Sequence, residues 1–299
     1  MTKNISTSVH SRLLNQARAT GRPLNDYLQY YAIERFLYRL SQSRYRDDFI
    51  LKGALAFLIW GGPIHRSTRD IDLLGSMSNE VENLVRIAQE ICALTVEDDG
   101  MSFPSENIQG ILIKEDADYE GVRLAFFGYL GKARIKMQID IGFSDQVFPK
   151  PVRTEYPTLL SYPAPELKNY PKESVIAEKF QAMVYLGEIN SRMKDFYDIW
   201  FLASHFDFDG SLLQEAISQT FRQRKTEIPS RPIYAFSEEF AEKKSLQWIA
   251  FLERNGIENT PYQLSVITQK TKVFLTPIVE ATTHGSPFTS HWKNRVWEK

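Results

Sequence analysis

The run Arg66-Ser67-Thr68-Arg69-Asp70-Ile71-Asp72-Leu73-Leu74 constrains this chain more than any other stretch, because it sets two acids one residue apart inside an aliphatic segment. In a strand, alternate side chains share a face. Asp70 and Asp72 then project together, roughly 6.5 Å apart along the backbone, while Ile71 and Leu73 face the opposite layer. At an effective dielectric of about 20, two carboxylates roughly 6 Å apart repel by about 2.5 to 3 kcal/mol, so a half-buried pair calls for a cation or for a raised pKa on one member. Mg²⁺ meets that need, taking one or two carboxylates, several waters and substrate phosphates. The alternative is an Asp-x-Asp on a solvated turn, where water screens the repulsion.

The flanks favour the strand. Phe49-Ile50-Leu51 reads as a short buried strand ending at Gly53, and residues 54–60 as a short helix that Gly61-Gly62-Pro63 breaks. Beyond the acids, Asn79 is placed to cap a helix carrying Val81, Leu84, Val85, Ala88, Ile91 and Leu94, and a loop follows over 98–107. Three strand-like runs come next, at 108–114, 121–130 and 133–143, the last two joined by Gly131-Lys132, a hairpin signal. The third alternates Ile135, Met137, Ile139 and Ile141 against Lys136, Gln138, Asp140 and Gly142, which puts Asp140 on the polar face of a core strand. A helix lies between the acid-bearing strand and these later strands. The expected fold class is therefore α/β, a mixed sheet with helices.

At 299 residues the chain is long for one compact domain. Residues 1–47 read as two helices, one carrying Val9, Leu13, Leu14 and Ala17 up to Gly21, the second opened by Pro23. Their basic residues, Arg12, Arg18, Arg22, Arg35, Arg39, Arg44 and Arg46, suit a solvated face or an RNA-contacting one. Residues 48–150 form the sheet-bearing core, and 151–172, rich in proline, read as an extended linker or wrapping segment. From 173 to 299 the periodicity is helical, with runs at 174–187, 192–204, 212–224, 237–255 and 262–281. The tail, with His284, His291, Trp292 and Trp297, fits no single element.

Composition closes off several classes of function. A hydrophobic content of 43% with 13% aromatics supplies an ample core, and a net charge of -1 excludes a uniformly basic nucleic-acid binder while leaving room for a local basic cleft. One cysteine, Cys92, removes a disulfide framework and a thiolate zinc site, and the five histidines show no helical i, i+4 pair. With no signal peptide and no apolar run long enough to span a bilayer, the sequence reads as cytoplasmic and free of membrane.

Two further spots carry chemistry. Lys179 lies beside the stripe Ile176, Phe180, Met183 and Val184, where a lysine either snorkels to solvent or directs its ammonium at a bound anion. In Met193-Lys194-Asp195-Phe196-Tyr197-Asp198-Ile199-Trp200, Asp195 and Asp198 are i, i+3 on one helix face within an apolar and aromatic segment. Buried carboxylates are costly there unless paired. Either Asp195 caps the helix and Asp198 pairs with Lys194 or Arg192, or both belong to a site.

Lys52-Gly53-Ala54-Leu55-Ala56, then Arg66 to Asp72, then Gln138-Ile139-Asp140-Ile141-Gly142-Phe143, then Lys179, then Lys194 to Ile199 together resemble the ordered motifs of the AbiEii/AbiGii-type nucleotidyltransferases. These are the toxin halves of type IV toxin–antitoxin, or abortive-infection, systems, within the polymerase-beta-like superfamily. The resemblance covers about residues 49–204. It implies a polymerase-beta-like core with N-terminal helices and a C-terminal helical domain. It also implies an enzyme that moves a nucleoside monophosphate from an NTP to an acceptor hydroxyl, plausibly the 3′ end of tRNA, and a cognate antitoxin. Asp70, Asp72 and Asp140 would hold two Mg²⁺ ions, with Asp140 also deprotonating or orienting the incoming hydroxyl. Lys179 would bind the triphosphate, and Asp198 with Asp195 would position that lysine or the nucleotide. Lys52, Arg66, Thr68 and the Gly53 turn would reach phosphate. Where the family usually has a hydroxyl residue after the first strand, this chain has Ala54, so that contact is either lost or taken by Ser67 or Thr68.

The residues support the same chemistry without the resemblance. Nucleotidyl transfer needs about three carboxylates for its metals and cations for the phosphate tail. Asp70, Asp72 and Asp140 meet the first need, and Lys179 with Arg66 or Lys52 meets the second, while no Walker-type or dinucleotide-type glycine loop competes. Two other readings stay open: the same fold acting on a protein or a small molecule, and a non-catalytic nucleotide- or RNA-binding module.

Overall fold

In the computed structural model, residues 5–61, 68, 70–116, 119–143 and 147–299 are described. The chain divides into two compact units, one formed by residues 1–144 and 152–169, the other by 145–151 and 170–299.

The first unit opens with α1 (Ile5–Thr20) and α2 (Leu24–Gln42), separated by the turn that Gly21 permits with φ +69°. It continues with β1 (Phe49–Lys52), α3 (Gly53–Ile59), β2 (Asp70–Gly75), α4 (Val81–Cys92), β3 (Met101–Ser102), β4 (Gln109–Asp116), β5 (Tyr119–Leu130), β6 (Ala133–Gly142), β7 (Val152–Glu155) and β8 (Glu166–Asn169). The strand order is β3-β5-β6-β2-β1-β8-β7, with β4 also on β5. β2 runs parallel to β6 and β1 to β8, while the other pairs are antiparallel, so the sheet is mixed as expected.

Alternation explains how the sheet buries one side. Ile71 and Leu73 of β2, Val122, Leu124 and Phe126 of β5, and Met137, Ile139 and Ile141 of β6 are all buried, joined in one core with Leu13, Phe36, Leu37, Leu40, Leu84 and Ile91 of α1, α2 and α4. The polar alternates of the same strands are left on the other face.

Several expectations need correction. Arg35 and Arg39 are not on a solvated or RNA-contacting face. Both are buried, Arg39 in a two-pronged pair with Asp99 at 2.8 and 3.2 Å, because α2 is packed on nearly all sides. The cap of α4 is Glu80 rather than Asn79, and no side chain caps it. The expected loop over 98–107 contains β3 and a 3₁₀ turn, Ser105–Asn107. In the proline-rich stretch the chain is extended and wraps: β8 adds to β1 and β7 to β8, and both belong to the first sheet. Proline spacing marks extension but carries no information about pairing.

The second unit comprises α5 (Lys172–Leu186), α6 (Met193–His205), β9 (Phe208–Asp209), α7 (Gly210–Gln223), α8 (Glu238–Lys243), α9 (Ser245–Asn255), α10 (Leu264–Thr283), β10 (His291–Lys293) and β11 (Val296–Glu298). The helix expected over 237–255 is two, broken at Lys244. The tail is a hairpin: β11 pairs β10, and β10 pairs β9. Aromatic burial holds it, with Trp292 at 4.8 Å and Trp297 at 5.6 Å from the Phe274 ring. Among the described residues, no helix is long and apolar enough to cross a membrane.

Candidate active site

The three predicted aspartates of the first unit fall on one face of the sheet. On β2, Ile71 and Leu73 are drawn into the core, so Asp70 and Asp72 turn to the other side. Parallel pairing sets Asp72 opposite Asp140 and Asp70 opposite Gln138. Antiparallel pairing sets Lys52 of β1 opposite Asp72, and Arg123 of β5 opposite Asp140. Cross-strand partners project to the same face, so one row across four strands reads Lys52, Asp72, Asp140, Arg123. Two cations flank two acids, and Asp70 stands one step along β2.

Arg123 grips Asp140 through both oxygens, Nε to Oδ1 and Nη2 to Oδ2, each at 2.7 Å, with Gln138 Nε2 3.4 Å from Oδ2. This two-pronged geometry fixes the carboxylate plane as well as its charge. The hydrogen bonds to Asp140 push the Arg123 pKa up; partial desolvation opposes them, and the charges of Asp140, Asp70 and Asp72 add to the rise. Arg123 therefore feels all three acids.

Gly53, the first residue of α3 directly after β1, has φ +67°, and a Cβ built there would overlap the Asp72 carboxylate. Glycine is required twice at this position, once for the backbone and once for the approach to Asp72. Ala54 follows as the second residue of α3 and is buried. Thr68 lies two residues before β2, its N–H donating to the Tyr30 hydroxyl at 3.2 Å and its Oγ1 to the Asp70 carbonyl at 3.4 Å. Arg66 and Ser67 lie outside the described residues.

The second unit gathers the rest of the predicted set. Lys179 of α5 places Nζ 2.8 Å from Asp195 Oδ1 and 3.0 Å from Asp198 Oδ2, both on α6 and both buried. Arg192 adds a second cation to Asp195, with Nε 2.6 Å from Oδ2. Burial pushes the Asp195 pKa up, but the charges of Lys179, Arg192 and Lys194 outweigh it and hold the carboxyl below its usual range. The i, i+3 spacing of Asp195 and Asp198 thus serves to clamp one ammonium from both sides. Asp195 does not cap α6, whose first flanking residue is Arg192, and Asp198 pairs with Lys179, a partner from another helix.

Arg123 is a functional candidate that the sequence reading missed, and Arg192 is named there only as a possible partner of Asp198. A signal for Arg123 existed. A two-residue turn at Gly131-Lys132 pairs Leu130 with Ala133, and counting back along both strands brings Arg123 opposite Asp140. Arg192 had only its spacing of three from Asp195.

The donor chemistry suits a hard divalent cation: three carboxylates borne by two neighbouring interior strands, with the carboxylate face opposite the packed core. Among the described residues, no three His, Cys, Asp or Glu side chains close to metal-binding distance, and both Asp140 oxygens are engaged by Arg123. Asp70 and Asp72 fit a metal by position and type; Asp140 fits once it is shared with, or released by, Arg123.

Acids and cations grouped on a sheet face suit a phosphorylated, polyanionic substrate. The chain belongs to the AbiEii family, since the family model described as "Nucleotidyl transferase AbiEii toxin, Type IV TA system" matches residues 35–269, well over half of its length. The protein is thus a nucleotidyltransferase toxin of that family, which generally uses an NTP with a divalent metal and implies an antitoxin partner. Two solved structures from Helicobacter pylori are similar. JHP933 has 13% identity and a TM-score of 0.44, covering 84% of this chain and 92% of its own. A candidate nucleotidyltransferase has 17% identity and a TM-score of 0.44, covering 89% and 98%. No curated protein sequence matches.

Proposed function

We propose that the protein is a Mg²⁺-dependent enzyme that transfers a nucleoside monophosphate from an NTP to an acceptor hydroxyl, with the 3′ end of tRNA as acceptor. The observation that carries this reading is the row Lys52, Asp72, Asp140, Arg123 with Asp70 beside it, which places three carboxylates on one face of two neighbouring parallel strands. Asp70, Asp72 and Asp140 would hold the metal ions, whose bound charge supports the leaving pyrophosphate and activates the hydroxyl. In the transfer, the acceptor oxygen bonds to the α-phosphorus as the bond to the bridging oxygen of the pyrophosphate breaks. Asp140, its plane fixed by Arg123, orients the hydroxyl or takes its proton. Lys52 and the Gly53 turn serve phosphate oxygens, as do Arg66 and Thr68 before the acid strand. Within the second unit, the Asp195 and Asp198 carboxylates fix the position of the Lys179 ammonium, to which we assign an anion-binding role.

The test is incubation of purified protein with α-labelled NTPs, Mg²⁺ and total cellular RNA, alongside Asp72→Asn. Label should enter a tRNA-sized species, disappear on RNase digestion, and fall at least a thousandfold in a folded Asp72→Asn protein, since a ligand to the reacting metals is removed. Label that resists RNase and is lost to protease assigns the acceptor to a protein instead. Undiminished transfer by the variant refutes the acid assignment.

A further inference from the structure

Where β6 extends past the start of β2, it forms a cavity of about 470 Å³ with the first turns of α2, within the range of sites that take small ligands. One end of the cavity is Asp70 with Thr68, and the floor is the polar face of β6, where Arg134, Lys136 and Gln138 lead in steps of two residues towards Asp140. The walls are cross-tied: Gln29 of α2 donates through Nε2 to the Lys136 carbonyl at 3.1 Å, and Tyr30 accepts from Thr68 N–H. The Arg134 guanidinium lies over the Phe127 ring with its carbon 3.6 Å from the centroid, which fixes its plane and leaves its edge available. Both residues are exposed; the acids they share the cavity with are Asp26 and Asp70.

We propose that this cavity seats the last nucleotide of a single-stranded RNA acceptor, with Lys136 and Arg134 on two successive backbone phosphates and the terminal hydroxyl directed at the Asp70 end. The spacing argues for a strand. Residues two apart on β6 are separated by roughly 6.6 Å, about one nucleotide repeat of an extended strand. The two backbone positions thus offer one anchor for each of two successive phosphates, whereas an NTP joins its phosphates through single bridging oxygens and packs them about half as far apart. The side-chain amides of Gln138 and Gln29 offer donors and acceptors to a base or sugar edge. The proposal rests on the reading that Asp70 lies at the transfer centre.

Fluorescence anisotropy with a labelled RNA hexamer ending in a free 3′ hydroxyl, in the absence of NTP, tests it for the wild type and Arg134→Ala/Lys136→Ala. The double variant should bind the hexamer at least tenfold more weakly, and the slope of log K against log salt should fall by about 1.4, two phosphate contacts at roughly 0.7 each. Its affinity for ATP with Mg²⁺, measured by calorimetry, should change less than twofold. Failure of the wild type to bind the hexamer saturably overturns the proposal. So does an unchanged hexamer affinity in the double variant, or a loss of ATP binding with hexamer binding intact, which would give the cavity to the NTP. Because this readout needs no turnover, a wild type that binds RNA through these residues yet transfers nothing supports the cavity while refuting the reaction.

Discussion

Arg123 and Asp140 are bound to each other by two hydrogen bonds of 2.7 Å, and the two side chains differ in exposure, 38% for the arginine and 12% for the aspartate. Removing the guanidinium leaves a largely buried carboxylate without its main partner, which is the costly way to break such a pair. Because water reaches the arginine, the cost for Arg123→Ala is set at about 1 to 3 kcal/mol, below that of a fully buried pair. Urea unfolding should register that loss. Nucleotidyl transfer should fall more than tenfold beyond it, because Asp140 also loses its fixed plane. Arg123→Lys keeps the charge but not the fork, so it should recover stability more than activity. Equal recovery of both would show that only charge matters. Gly53 belongs to the same account, since its missing side chain is what lets α3 begin against Asp72.

Among the elements, α2 and the segment 156–165 are tied by groups that titrate. Glu34 of α2 accepts from Leu159 N–H at 2.6 Å, Gln16 of α1 donates to the Leu159 carbonyl at 2.7 Å, and Arg35 donates to the Pro163 carbonyl at 2.9 Å. Arg35 Nη2 is 2.8 Å from Glu34 Oε1, yet that oxygen lacks hydrogen-bond alignment. Close charge without alignment is a poor substitute for water. Burial therefore pushes the Glu34 pKa up to about 7, against the opposing pull of Arg35 and the Leu159 N–H. Between the unfolded value near 4.5 and about 7, the folded state binds more protons than the unfolded one, so this group adds stability as pH falls through that window and loses it as pH rises. The full swing is at most roughly 3 kcal/mol. Melting temperatures of the wild type should climb from pH 8 to pH 5.5 relative to Glu34→Gln, which removes the titration. Parallel profiles for the two proteins would refute the assignment.

At the scale of the molecule, the chain leaves the first unit at 144, returns at 152 and leaves again at 169, so the sheet is completed by strands that come after a segment of the second unit. β8 lies between β1 and β7, with Ile50 opposite Lys168 and Leu51 opposite Asn169. A fragment ending at 144 would expose the edge of β1 and lose the buried Tyr156, Leu160 and Leu167. Circular dichroism should find fragment 1–144 melting more than about 5 °C below fragment 1–169, or aggregating, since a few kcal/mol moves a domain of this size by that much. Equal melting would mean that β7 and β8 are ornaments on a finished sheet.

What the sequence by itself determined was local and periodic. The alternation of Ile71 and Leu73 against Asp70 and Asp72, the same alternation through Met137, Ile139 and Ile141, and the two-residue turn at Gly131-Lys132 specify strands, faces and one hairpin, because a pleat of period two and a tight turn are properties of neighbours in the chain. With that turn, even the pairing of Arg123 with Asp140 was countable. The parallel register that sets Asp72 beside Asp140 was decided only in the tertiary structure. So were the insertion of β8 against β1 and the clamp of Asp195 and Asp198 on Lys179. Each joins segments distant in the chain, and their register depends on which combination buries every apolar face at once, a condition no local pattern encodes.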